Sequence, residues 1–374
     1  MAQTVLIRGS GLYTPEHSIS NEELVDSFNR YVAKHNAEHA DAIAAGEVEQ
    51  LVPSSAEFIE KASGIKARYV LDREGILDPD RMRPRLRRRD NDEPSIMCEI
   101  GEAACREALA QAGVAAEDVD GVIVACSNMQ RPYPAIAVEL QAALGIDGWG
   151  YDMNVACASA AFGIQAAADA VRNGSARAVL VVSPEICSGH LNFRDRDSHF
   201  IFGDAATAVL VTGSSSGPEA GDFEVLGTRL KTLFSSNIRN NAGFLNRSEE
   251  PPRPDADRLF VQNGRKVFKD VVPMVSELIS AHLRDLGIDP QTVRRFFLHQ
   301  ANLGMNEYIA RRVLGRDATR DDAPVILDEY ANTSSAGSVI AFHKHRADIA
   351  PGDIVVLSGF GAGYSAGSVV MRRH

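Results

Sequence analysis

Six short apolar runs set the strongest limit on what this chain can fold into: TVLIRG (4–9), GVIVACS (121–127), AVLVVS (178–183), TAVLVTG (207–213), RRFFLHQ (294–300) and DIVVLSGFG (353–361). Each has the length of a strand and none alternates apolar with polar residues, so each is expected to be buried on both faces. Segments with helical spacing separate them, among them EIGEAACREALAQAGV (99–114) and NEYIARRVLG (306–315). Doubly buried strands need helices over both faces, which predicts an α/β protein of layered sheets joined by crossover connections. With 374 residues, 45% of them hydrophobic, the chain can fill one large core or two of ordinary size.

The order echoes itself. A helix ending in Gly, a short acidic turn and a buried strand occur at 99–127 and again at 276–300, where SELISAHLRDLGI leads to VRRFFLHQ. Two similar halves are the expectation. Residues 31–53 and 72–94 are polar and Pro- or charge-rich, break this rhythm, and are read as insertions in the first half. The second contains RMRPRLRRRDNDE (81–93), either a self-neutralising solvated loop or a clamp for a phosphate-bearing substrate.

Composition narrows function. A net charge of -11 argues against general nucleic-acid binding. No apolar run approaches the roughly 20 residues that span a bilayer, and MAQTVLIRGSG lacks the regions of a signal peptide, so a cytoplasmic address without membrane insertion is expected. The five cysteines, at 98, 105, 126, 157 and 187, form no CxxC pair and suggest neither a metal site nor a disulfide framework. GAGYSAG (361–367) fits both G-x-G-x-x-A and G-x-S-x-G, yet too little chain follows for a dinucleotide fold or for a hydrolase's acid and histidine. Its small residues mark a close backbone approach instead.

Cys157 lies in MNVACASAAFGIQAAADAVRNG (153–174), where a strand-like run turns into a helix of strong formers stopped by Asn173 and Gly174. At a helix start the free N–H groups and the positive dipole end favour a thiolate. Taken alone, the residue fits a buried structural cysteine better than a nucleophile. Two others shift the balance: His299 in LHQAN (298–302), at the end of an apolar strand, and Asn332 in YANTSSAGS (330–338), in a turn before a helical stretch. Strand mouths and tight loops are where α/β folds place chemistry, and a Cys, a His and an Asn make a nucleophile with partners.

Together ACAS (156–159), FGDAATAVLV (202–211), HQAN (299–302), NTSSAGS (332–338) and GFGAGYSAGS (359–368) resemble, in order and approximate spacing, the β-ketoacyl-acyl carrier protein synthase III family of thiolase-like condensing enzymes. The resemblance implies a five-layered αβαβα fold with two similar halves, and a homodimer. Residues 1–213 would carry the nucleophile and both insertions, and residues 214–374 would carry His299 and Asn332. It implies an acyltransferase of fatty acid biosynthesis that joins an acyl-CoA primer to malonyl-acyl carrier protein by decarboxylating Claisen condensation. Cys157 would hold the acyl group as a thioester, His299 and Asn332 would stabilise the enolate, and the N–H groups of Cys157 and Ala362 would form the oxyanion hole. No metal or cofactor is called for.

The resemblance also assigns the periphery, with departures. Lys269, Arg311 and Arg312 align with positions that dock acyl carrier protein, while Gly304 stands where arginine is common. Phe58 replaces a tryptophan that stacks on the adenine of coenzyme A and Ala62 replaces an arginine, so coenzyme A is expected to bind differently or to recruit an arginine from 81–89. Tyr133, in RPYPAIA, aligns with an aromatic residue that crosses to floor the partner's acyl pocket. These departures point to a primer other than acetyl-CoA, of medium chain length. Head-to-head condensation of two acyl-CoAs, quinolone- or polyketide-type condensation, and cysteine acyl transfer or hydrolysis on the same scaffold would keep the same three residues and stay open.

Overall fold

The apolar runs become strands of one nine-stranded mixed sheet. In the computed structural model, which describes residues 3–374, these are β1 (Thr4–Tyr13), β2 (Gly121–Ala125), β3 (Trp149–Met153), β4 (Ala178–Ile186), β5 (Asp204–Ser214), β6 (Phe223–Ser235), β7 (Val293–Leu298), β8 (Ile354–Gly361) and β9 (Gly363–Arg373). Their order is β7-β8-β9-β6-β1-β5-β4-β2-β3. The seam between β1 and β6 is narrow, only Leu6 opposite Glu224 and Ile7 opposite Phe223. On either side of it the same pattern recurs: β2 lies parallel to β4, which meets β5 antiparallel, and β7 lies parallel to β8, which meets β9 antiparallel. Because so little joins them, the two parts of the sheet can diverge and face each other across helices.

The labelled helices are α1 (Asn21–Glu38), α2 (Ala56–Ser63), α3 (Ile96–Ala112), α4 (Ile136–Leu144), α5 (Ser159–Arg172), α6 (Gly264–Asp285), α7 (Leu303–Leu314) and α8 (Ala336–Lys344). Strand alternation sorts them into layers. In β2, Ile123 and Ala125 pack with α5 and α8, while Val122 and Val124 pack with α3 and α4. In β7, Phe297 joins the same central cluster while Phe296 and Leu298 turn outward to α6 and α7. The result is the five-layered αβαβα arrangement of the thiolase fold. A helix held between two sheets has room only for small side chains, which explains the alanines of α5. A Cβ on its Gly163 would lie 2.7 Å from Val181 and 3.0 Å from Ala125.

The stretch 31–53, read as an insertion, is partly helical. α1 continues through it to Glu38 and a short helix follows at Ala40–Ala44, because Leu24, Phe28 and Val32 recur at helical spacing and bury in a cluster with Ile59 and Phe200. The stretch 72–94 holds one short helix, Glu74–Leu77, and otherwise runs irregularly. Among the described residues, no helix is long and apolar enough to cross a membrane.

Candidate active site

Each central helix is preceded by a tight turn that carries a candidate residue. Ahead of α5 the chain makes a 3-10 turn, Ala156–Ala158, with Cys157 at its middle; ahead of α8 it leaves a helical turn at Leu327–Tyr330 and passes through Asn332. Both turns place residues with side chains in left-handed backbone: φ is 49° at Ala156, 55° at Ala331 and 50° at Ser334. Such conformations cost about 1–3 kcal/mol each and persist only where the surroundings fix them. Here the Asn154 side chain accepts the Ala156 N–H at 2.9 Å. The Asn332 N–H donates to Ile201, and its carbonyl accepts from Gly203. His299 is the first residue beyond β7.

The fold brings Cys157, His299 and Asn332 together on a cavity of about 610 Å³, with Phe360 and Gly361 beside them. The Gly-rich segment, far from binding a nucleotide, forms the β8–β9 turn. A Cβ on Gly361 would sit 2.7 Å from the Cys157 Cβ and 3.0 Å from its Sγ, so only glycine lets this strand reach the sulfur. The Ser334 hydroxyl donates to Sγ at 3.3 Å, and the backbone N–H groups of Ala362 and of Cys157 itself favour the ionised sulfur.

The helix start favours a thiolate at Cys157, and its half-buried position opposes one. Burial pushes the Cys157 thiol up to about 12, with the Ser334 hydroxyl acting the other way, Glu185 adding to the rise, and the two backbone N–H groups opposing it. Desolvation outweighs a dipole reduced by the intervening 3-10 turn. His299 is likewise buried, which lowers it to about 3 against an opposing effect of the Ser334 backbone, and its ring meets Phe360 edge-on at 5.1 Å. It is a neutral imidazole, a hydrogen-bond donor without a charge. Asn332 has its Oδ1 engaged by the Ser334 N–H at 2.8 Å, leaving its NH₂ as the group free to donate into the cavity. The other polar residues of LHQAN are structural ties. Gln300 holds the Ile326 N–H and the Leu298 and Pro324 carbonyls, while Asn302 caps α7 and donates to the Ala62 carbonyl.

At the cavity mouth Phe58 is in place, with the Arg196 guanidinium 4.2 Å from its ring centroid and the Arg196 Nε donating to the Pro53 carbonyl. No arginine from 81–89 lines the cavity: Arg87 pairs with Glu93, Arg88 with Asp90 and Arg89 with Glu99 on α3, while Arg81 donates to the Arg83 and Pro84 carbonyls. Lys269 on α6 and Arg312 on α7 are exposed, and Arg311 is paired with Asp317 at 2.6 Å. Tyr133 is 82% exposed and lies outside the cavity of its own chain. Sequence reading missed Ser334, Arg196 and Glu185. Only Glu185 left a trace, a carboxylate in the apolar strand AVLVVSPEI.

Comparison with known proteins fits this geometry. Residues 151–232 match the 3-oxoacyl-[acyl-carrier-protein] synthase III profile and residues 283–373 match the profile of its C-terminal part. A β-ketodecanoyl-[acyl-carrier-protein] synthase from Pseudomonas aeruginosa is 64% identical over 94% of this chain and 100% of its own length. The chain belongs to the β-ketoacyl-[acyl-carrier-protein] synthase III family. A further synthase III, from Mesorhizobium japonicum, is 30% identical over 87% of this chain and 93% of its own. The crystal structure of a Pseudomonas aeruginosa synthase III shares the fold, with a TM-score of 0.76 at 23% identity over 99% of this chain and 98% of that one. This synthase is therefore an acyltransferase, a condensing enzyme of fatty acid biosynthesis that joins an acyl-CoA to malonyl-acyl carrier protein.

Proposed function

We propose that Cys157 takes the acyl group of an acyl-CoA as a thioester, and that His299 and Asn332 then hold the malonyl thioester carbonyl while carbon dioxide leaves. The observation that carries this reading is the convergence of one thiol, one neutral imidazole and one free amide NH₂ on a single cavity, with Gly361 of the Gly-rich turn packed against the sulfur. A neutral imidazole and an amide donate hydrogen bonds to the enolate oxygen without supplying the acidic proton of an imidazolium, which would quench the carbanion. The carbanion attacks the acyl-Cys157 carbonyl, the tetrahedral oxyanion rests on the N–H groups of Cys157 and Ala362, and its collapse breaks the C–S bond and expels the Cys157 thiolate, which takes a proton from solvent. No metal or redox group is needed for these steps.

The primer in this proposal is medium-chain. The 64% identical relative is named for a β-ketodecanoyl product, which arises from an eight-carbon acyl group and two carbons of malonate. Phe58 and Arg196 form an aromatic and cationic surface suited to the adenine of coenzyme A. Lys269 and Arg312, with Arg311 beside them, offer positive charge to acyl carrier protein. A homodimer would cover the edge strand β3 and the exposed Tyr133, Val138 and Tyr151, with the cytoplasm as its compartment.

Intact-protein mass spectrometry after incubation with acyl-CoAs of increasing length tests the first step, and carbon dioxide release from malonyl-acyl carrier protein tests the second. Octanoyl should add to the wild type and not to Cys157→Ser. His299→Ala and Asn332→Ala should still acylate but release carbon dioxide about 10²–10³-fold more slowly, the usual effect of removing a donor to a developing oxyanion. Absence of an adduct from every acyl-CoA, or undiminished release in both variants, refutes the proposal.

A further inference from the structure

β4 carries a carboxylate that the condensation chemistry leaves unused. Glu185 is 1% exposed, close to the end of an otherwise apolar strand. Its Oε1 accepts the Ser127 N–H at 3.0 Å, the Ser335 N–H at 3.1 Å and the Ser335 hydroxyl at 2.5 Å. Its Oε2 accepts the Ser127 hydroxyl at 2.6 Å. An ionised carboxylate is acceptor-only, with about four lone-pair sites, and four N–H and O–H donors converge on this one, with the Cys187 thiol 3.9 Å from Oε2 as a weaker fifth. The arrangement fits the anion even though burial raises the group's affinity for a proton, an effect opposed by these two serines.

The serines belong to different halves of the fold. Ser127 follows β2, whereas Ser335 stands at the start of α8, its hydroxyl oxygen also 3.1 Å from the Ala125 carbonyl. Its neighbour Ser334 holds Asn332 through an N–H and points its hydroxyl at the Cys157 sulfur. We infer that Glu185 is a positioning residue: its buried carboxylate fastens the Ser334–Ser335 turn to the end of β2, aims the Ser334 hydroxyl and the Asn332 amide, and sets a fixed negative charge near the sulfur. This inference rests on the reading of Cys157 as the acylated nucleophile.

The charge has a direction of effect. Glu185 raises the Cys157 thiol, as it raises those of Cys126 and Cys187, and Asp204 acts on Cys187 in the same sense. Cys187 also interacts with Cys157, both thiols being raised, and His299 on the same cavity is neutral. The charge therefore adds to the larger effect of burial in favouring the protonated sulfur.

Two substitutions separate charge from tie. Glu185→Gln can keep all four contacts, because its Nε2 can donate to the Ser127 hydroxyl, which rotates to accept; it removes only the charge. Glu185→Ala removes both. Alkylation of Cys157 by iodoacetamide across pH 7–10 reads the charge, and carbon dioxide release from malonyl-acyl carrier protein reads the tie. Glu185→Gln should move the alkylation profile down by about one pH unit, about tenfold faster at a given pH. Glu185→Ala should slow carbon dioxide release by about tenfold or more through misplacement of Asn332, with KM for octanoyl-CoA little changed. Superimposable alkylation profiles for wild type and Glu185→Gln, or release within twofold of wild type in Glu185→Ala, overturn the inference. Should Glu185→Ala not fold, Ser335→Ala must slow release in the same direction, and unaltered release overturns it equally. Wild-type protein that takes no octanoyl group on Cys157 sinks the reading of the site itself; acylated wild type with unaffected variants sinks only the role of Glu185.

Discussion

Replacing Gly361 by alanine adds one methyl group at the point where β8 approaches the nucleophile. The backbone there is not left-handed, so the substitution meets no conformational penalty and its effect is steric. The new Cβ would lie 2.7 Å from the Cys157 Cβ and 3.0 Å from its Sγ, against an optimum near 3.5–4.0 Å for carbon atoms. Strand and turn must separate by about 1 Å, at a cost of about 1–3 kcal/mol in stability for a well-packed site. The same displacement carries the sulfur away from the N–H groups that receive the oxyanion. A misplacement of about 1 Å at reacting atoms costs about 10²-fold in rate. The assay is the initial rate of octanoyl transfer from octanoyl-CoA, followed by intact mass. Gly243→Ala serves as control, since a Cβ there meets no atom within 4 Å, and it should acylate like wild type. Gly361→Ala acylating within threefold of wild type, at an unchanged melting temperature, would refute the packing argument.

The remaining expectations concern the sulfur and the cavity mouth. Because burial holds the Cys157 thiol at about 12, its alkylation by iodoacetamide should climb about tenfold per pH unit from pH 7 to 10. A plateau below pH 9 would show that the thiol is not so raised. Ser334→Ala removes a hydroxyl that lowers this value and should slow alkylation at any fixed pH; faster alkylation contradicts the assignment. Arg196→Ala takes the guanidinium off Phe58 and should raise KM for acyl-CoA by about threefold to tenfold, the worth of a partly exposed cation–π contact, with kcat retained. An unchanged KM would remove Arg196 from the binding surface.

Much of the fold was legible because burial on both faces leaves a local signature. The six apolar runs all became strands, and the segments between them became helices with their stops where the sequence put them: Gly113 caps α3 and Asn173 caps α5. β6 escaped because its outer half is exposed and rich in polar residues. α1 escaped in part because only one of its faces is apolar, and charges on the other gave residues 31–38 the look of an insertion. Within the site, Cys157, His299 and Asn332 stood out by chemical type and position, at strand mouths and helix starts. Arg196 did not, since nothing in the chain near it announces the ring of Phe58.

By itself, then, the sequence determined the layered α/β architecture, the two-part repeat and three polar residues that the fold brings to one cavity, all of which rest on periodicity and residue type within a few neighbours. Only the tertiary structure decided the state of those residues. The Cys157 thiol is set by desolvation from atoms of both halves and by Glu185, and the Ser335 that ties Glu185 to the site lies 150 residues away in the chain. Charge and dielectric act through space, and a sum over neighbours brought together by folding has no counterpart in the order of residues along the chain.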